Sequence, residues 1–123
     1  MSTAATKPTT IAKGITSGLR AAMERDPKVV LMGEDIGKLG GVFRVTEGLQ
    51  AEFGADRVID TPLAEAGIIG AAIGMALYGL RPVPEIQFGA FIYPALDQSV
   101  SQVAKLHARS LGFVKMPLVI RIP

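Results

Sequence analysis

The sequence predicts an α/β domain of three layers, αβα, built on a mostly parallel sheet. Three observations carry this. Short apolar runs alternate with stretches of helical periodicity over the whole length, the order expected of βαβ units. The first such run, "KVVLM" at 28–32, has no polar alternation, which suits a strand covered on both faces. At 123 residues, 49% of them hydrophobic, the chain has the length of one domain and apolar mass enough for a substantial core.

In chain order, residues 1–8 read as a mobile N-terminal tail and 9–123 as the α/β domain. Ile11, Ile15, Leu19, Ala22 and Met23 recur at helical spacing, with Thr9 or Thr10 available as N-cap and Pro27 as the stop. Gly33 ends the strand at 28–32 and the loop "GEDIGKLGG" follows. Thr46 is placed to cap a short helix through Leu49 and Phe53 to Gly54, and "RVID" at 57–60 reads as a second strand. Thr61 and Pro62 then turn the chain into a Gly-rich helix. "PVPEIQF" at 82–88 is a third strand, assigned to an edge or a late start by Pro82 and Pro84. A helix is expected over 93–110, with the stripe Leu96, Val100, Val103 and His107, before "PLVIRI" at 117–122 supplies a fourth strand.

Charge and composition exclude several functions. The 13 Lys and Arg are spread from Lys7 to Arg121, so a net charge of +2 leaves no footprint for nucleic acid. The longest uncharged run, Ala66 to Leu80, is shorter than the roughly 20 residues that span a bilayer, and no membrane association is expected. With no Cys there is no disulfide, thiol nucleophile or thiolate metal site, and the chain itself is expected to bind no metal. The N-terminus lacks the apolar stretch of a secretory signal, and the expected location is cytoplasmic.

In a parallel sheet, ligands bind beyond the carboxyl ends of the strands. That rule selects "GED" after the first strand, "TPLAE" after the second and "QFGAFIY" after the third. Gly67, Gly70 and Gly74 do not form a G-x-G-x-x-G fingerprint, and no phosphate-binding P-loop is present, so a nucleotide module is disfavoured. Gly70 and Gly74, one turn apart among alanines, instead suit a close approach by another backbone, such as a subunit interface. Glu65 is the only charge between Asp60 and Arg81. Read alone it is a helix-start acid favoured by the dipole; in apolar surroundings a carboxyl favours its neutral form, which makes it a candidate acid. His107, on an apolar stripe, reads as a packed, hydrogen-bonded imidazole at a core edge or interface. Glu34 either caps a turn or borders the ligand pocket; Gln87 and Phe91 lie after the third strand, where an aromatic is usually core but at the rim, beside a carboxyl donor, could also hold a flat heterocycle.

Taken together, "GEDIGKLGGVFRVTEGL", "RVIDTPLAEAGIIGAAIGMAL", "EIQFGAFIYPALDQ" and "KMPLVIRIP" resemble the β subunit of the thiamine-diphosphate-dependent 2-oxo acid dehydrogenases, from Ile11 to Pro123. "FRVTEGL" and "EIQF" look more like the branched-chain (2-oxoisovalerate) type than the pyruvate or acetoin types. The resemblance implies the pyrimidine-binding module of the thiamine-diphosphate-binding fold. It also implies oxidative decarboxylation of a 2-oxo acid with acyl transfer to lipoamide.

By the same resemblance, Glu65 corresponds to the glutamate that hydrogen-bonds N1′ of the aminopyrimidine and so activates the cofactor, while Phe91 matches the aromatic stacked on that ring. Leu63 and Gln87 match other cofactor-side positions, and Glu34 is assigned to the substrate side. The implied partners are an α subunit carrying the Mg²⁺ and diphosphate motif, a second β subunit and a lipoyl acyltransferase core. Family β subunits continue past "RIP" into a Gly-rich loop with a histidine and a C-terminal domain, so the domain is expected to be truncated at its C-terminal end. That leaves a fragment that only docks to partner subunits as the alternative function. Some members also place an acid beside the stacking aromatic, where this chain has Gly89 and Ala90.

Overall fold

The computed structural model describes residues 8–123; most of the tail expected over 1–8 lies outside the described residues. Helix α1 (Ile11–Arg25) begins where Thr10, in extended conformation, accepts the Lys13 N–H on its side chain, and ends at Asp26 before Pro27. Strand β1 (Val29–Gly33) is buried along its whole length. Helix α2 (Leu49–Phe53), strand β2 (Val58–Asp60), helix α3 (Glu65–Leu77) and strand β3 (Arg81–Glu85) follow.

The sheet is parallel, in the order β2-β1-β3. β2 pairs with β1 from Leu31–Val58 to Gly33–Asp60, and β3 from Val29–Arg81 to Gly33–Glu85. Alternation along β1 sends its side chains to two cores. Val29 and Leu31 pack with Met23, Leu49 and Val58 under α1 and α2. Met32 packs with Ile68, Ile69 and Ala72 of α3 and with Ile86 and Ala95. Each such large side chain contributes about 1.5–3 kcal/mol on burial. The sheet is therefore sandwiched between helical layers, and all three strands point their carboxyl ends to one rim. No helix among the described residues is long and apolar enough to cross a membrane.

Four expectations are corrected. Thr46 does not cap α2: Gly48, with φ 80°, holds that position, and the buried Thr46 hydroxyl donates to Ile36 O at 2.6 Å. The helix expected over 93–110 is broken into a 3₁₀ segment (Gly89–Ala95), a π turn (Gln98–Val103) and the short helix α4 (Leu106–Arg109). Ser99 Oγ donates back to Ala95 O, a side-chain bond that competes with the regular backbone ladder at the point where the helix breaks. With the helix broken, the stripe does not reach His107, which is exposed rather than packed, although it is hydrogen-bonded as expected, Nδ1 to Val114 O at 2.8 Å.

The fourth correction concerns 117–122, which forms a single parallel bridge, Glu85 to Arg121, rather than a strand. Val119 and Arg121 N–H groups reach Pro82 O and Pro84 O, but neither proline has an N–H to return the bond, so pairing is one-sided until Ile86 N donates to Arg121 O. In α3, a Cβ added at Gly70 or Gly74 would meet nothing within 4 Å. No described residue makes the close approach expected there.

Candidate functional site

The rim is built by three exits from the sheet. At the first, Gly33 comes so close to β3 that a Cβ there would lie 2.8 Å from Glu85 O. The chain then buries Glu34, 8% exposed, turns at Asp35 in the left-handed region (φ 55°), and folds the first part of loop 34–48 back on itself through Gly41 N to Asp35 O at 2.8 Å. Asp in this conformation costs less than most residues because its short polar side chain tolerates it.

At the second exit, Thr61 N donates to Gly33 O at 3.0 Å, extending the β1–β2 register by one bond. Pro62, Leu63 and Ala64 then deliver Glu65 to the first turn of α3, which has no side-chain N-cap. Its carboxylate occupies the positive end of that helix dipole. Glu65 is 7% exposed. The ion pairs among the described residues join Arg20 to Glu52, Arg81 to Asp26 and Arg121 to Glu85, so no cation neutralises Glu34 or Glu65.

The structure brings Glu34 and Glu65 close enough to interact electrostatically. Burial, then the charge of Glu65, then that of Asp35, pushes the Glu34 carboxyl above its ordinary range. Leu63, beside Glu65 in the chain, is largely exposed. At the third exit, Gln87 is half-buried just past β3, and Phe91 sits in the 3₁₀ segment that packs against α3. Phe91 remains 42% exposed and meets Phe88 edge-on at a centroid separation of 5.5 Å. A hollow of about 250 Å³ is lined by Met32, Thr61, Pro62, Ala64, Gly67, Ile68 and Ala71; Glu65, Gln87 and Phe91 are not among its walls.

Two residues at this rim were not singled out from sequence. The Thr61 hydroxyl is buried with no hydrogen-bond partner among the described residues. Asp60 accepts the Gly37 N–H on its carboxylate at 2.6 Å. The available signal was an acid at a strand end, directly before the "TP" turn.

Residues 7–123 match the family model described as transketolase, pyrimidine binding domain. The chain is 63% identical over 111 residues to the pyruvate dehydrogenase E1 component subunit beta of Leifsonia xyli subsp. xyli, covering 90% of this chain and 33% of that protein. It is 55% identical over 118 residues to the 3-methyl-2-oxobutanoate dehydrogenase subunit beta of Mycobacterium tuberculosis, covering 96% and 34%. It is 51% identical over 114 residues to the 2-oxoisovalerate dehydrogenase subunit beta of Pseudomonas aeruginosa, covering 93% and 33%. The chain thus spans about one third of the length of these curated relatives. With nearly its whole length matched and a parallel sheet sandwiched between helices, the chain belongs to the transketolase pyrimidine-binding domain family.

Proposed function

We propose that this chain is the cofactor-activating portion of the β subunit of a thiamine-diphosphate-dependent 2-oxo acid dehydrogenase, whose reaction is oxidative decarboxylation with acyl transfer to lipoamide. The observation that carries the reading is Glu65: a carboxyl 7% exposed, unpaired by any cation among the described residues, at the rim where the strands end. An aminopyrimidine needs a carboxyl to share a proton with a ring nitrogen, and apolar surfaces for its faces. Glu65 fits the first need, and the exposed Phe91 and Leu63 fit the second. Bound thiamine diphosphate supplies the electron sink for loss of CO₂ from a 2-oxo acid.

In this reading Glu65 holds the shared proton, Phe91 packs on the ring face, and Leu63 and Gln87 complete the cofactor side. Glu34 lines the substrate side; its raised affinity for a proton limits the negative charge facing Glu65. Mg²⁺ and the diphosphate fall to the α subunit. A second β subunit and a lipoyl acyltransferase core complete the proposed assembly.

The test is calorimetric titration of the subunit, assembled with its α partner, with thiamine diphosphate. Glu65→Gln is expected to abolish decarboxylation and to weaken cofactor binding at least about tenfold, since a charge-assisted bond is lost. Unchanged binding and turnover in that variant would remove the reading.

The substrate has two readings. "FRVTEGL" and "EIQF" favour a branched-chain 2-oxo acid, while the 63%-identical relative named for pyruvate favours pyruvate. Comparing kcat/KM for pyruvate and 2-oxoisovalerate on one preparation separates them.

A further inference from the structure

Two segments leave the rim side by side: loop 34–48, which starts at Glu34, and the connection 61–64, which delivers Glu65. Their roots are fixed by the sheet, where Gly33 stands opposite Asp60 and Thr61 N bonds Gly33 O. Beyond Gly33 the loop has left the ladder. There the Asp60 carboxylate accepts the Gly37 N–H at 2.6 Å and ties the loop back to the end of β2.

The contact is closed sterically as well. A Cβ at position 37 would overlap both Gln50 Nε2 and Asp60 Oδ2. Gln50 is itself anchored, donating to Val58 O of β2 at 2.9 Å. Gly37 is thus gripped from two sides by residues that both take their position from β2. Asp60 is exposed and stands beside an open recess shared with Asp35, Lys38 and Leu39. Its environment is that of a clasp between two surface segments, and neither hydrophobic core includes it.

We infer that Asp60 is a positioning residue of the candidate site: by holding the Gly37 N–H it keeps the loop that bears Glu34 against the turn that bears Glu65. Its side-chain hydrogen bond among the described residues goes to the Gly37 N–H, so it acts through the loop. The inference rests on the function proposed above. A carboxylate bonded to a backbone N–H makes a charge-assisted bond, which loses part of its strength but keeps its geometry when the acid becomes an amide.

The experiment uses the subunit assembled with its α partner and measures thiamine diphosphate affinity, amide exchange over 35–40 and thermal melting. Asp60→Ala is expected to weaken cofactor binding about tenfold and to speed amide exchange in the loop, with Tm moved by no more than about 2 °C. Asp60→Asn, which retains the Oδ1 acceptor, is expected to restore most of the affinity. Gly37→Ala should reproduce Asp60→Ala, and the double variant should be no weaker than either single one, because both remove one contact. Should Asp60→Ala not assemble, Asp60→Glu, which keeps the charge and displaces the acceptor by one methylene, carries the same expectation. Wild-type affinity in Asp60→Ala, or a loss that tracks Tm and is not relieved by Asn, overturns the inference. Glu65→Gln, run alongside, separates the failures: normal binding there removes the proposed function instead.

Discussion

Glu85, 4% exposed at the end of β3, is bonded by the Arg121 guanidinium through Nε at 3.0 Å, with a second, Nη2 contact to the same oxygen. The pair clamps segment 117–122 to the sheet at the one two-sided bridge, just past the prolines that leave the ladder one-sided.

Removing one partner from such a pair leaves an uncompensated buried charge, at a cost of about 3–5 kcal/mol. Arg121→Met is therefore expected to lower the unfolding free energy by about 3 kcal/mol in urea denaturation, while Glu85→Leu combined with Arg121→Met recovers most of it. Equal losses in the single and double variants would show that packing, and not the stranded carboxylate, sets the cost.

Arg57 performs a similar task at the opposite end of the sheet. Its Nη2 donates to Met23 O at 3.0 Å and to Asp26 O and Val29 O at 2.9 Å, gathering the C-terminal carbonyls of α1 and the start of β1 under one cation. The guanidinium also lies 5.4 Å from the Phe53 ring centroid. Lysine carries the charge without the fork, so Arg57→Lys is expected to cost about 1–2 kcal/mol. Cofactor affinity should be unchanged, because these contacts lie at the other end of the strands from Glu65. A parallel loss of both in denaturation and titration would contradict that separation.

These two arginines mark where the sequence was readable and where it was not. β1 and α1 could be read because burial on both faces, or on one stripe, imposes a local pattern that survives in the order of residues. The segment after Phe88 could not: tight 3₁₀ turns followed by wide π turns average to a helix-like recurrence of apolar residues, so periodicity alone predicts a continuous helix over 93–110. Pro82 and Pro84 point to an edge position or a late start; β3 is at the edge of the three-stranded sheet but starts at Arg81, before both, and the effect on the neighbouring segment depends on which way the missing N–H groups face. At the rim, Glu65 stood out because it is a lone charge. The Asp60–Gly37 clasp spans 23 residues, and nothing at either position announces the other.

Glu34 gives the site a pH signature. Burial and the charges of Glu65 and Asp35 hold its carboxyl above the ordinary range, so between the unfolded and folded pKa values the native state binds the proton more tightly than the unfolded chain does. Stability contributed by this group therefore falls as pH rises from the ordinary carboxyl range through the folded pKa, and above that the ionised, buried Glu34 is a standing cost. Glu34→Gln removes the cost. The variant is expected to unfold at a higher Tm than the parent at neutral pH, with the difference shrinking on acidification and vanishing below the ordinary carboxyl range, about pH 4. Melting curves at a series of pH values check this. A difference independent of pH would mean that the amide gains its stability from new hydrogen bonds, whereas a Tm below the parent's at neutral pH would mean that the ionised carboxylate has a stabilising partner.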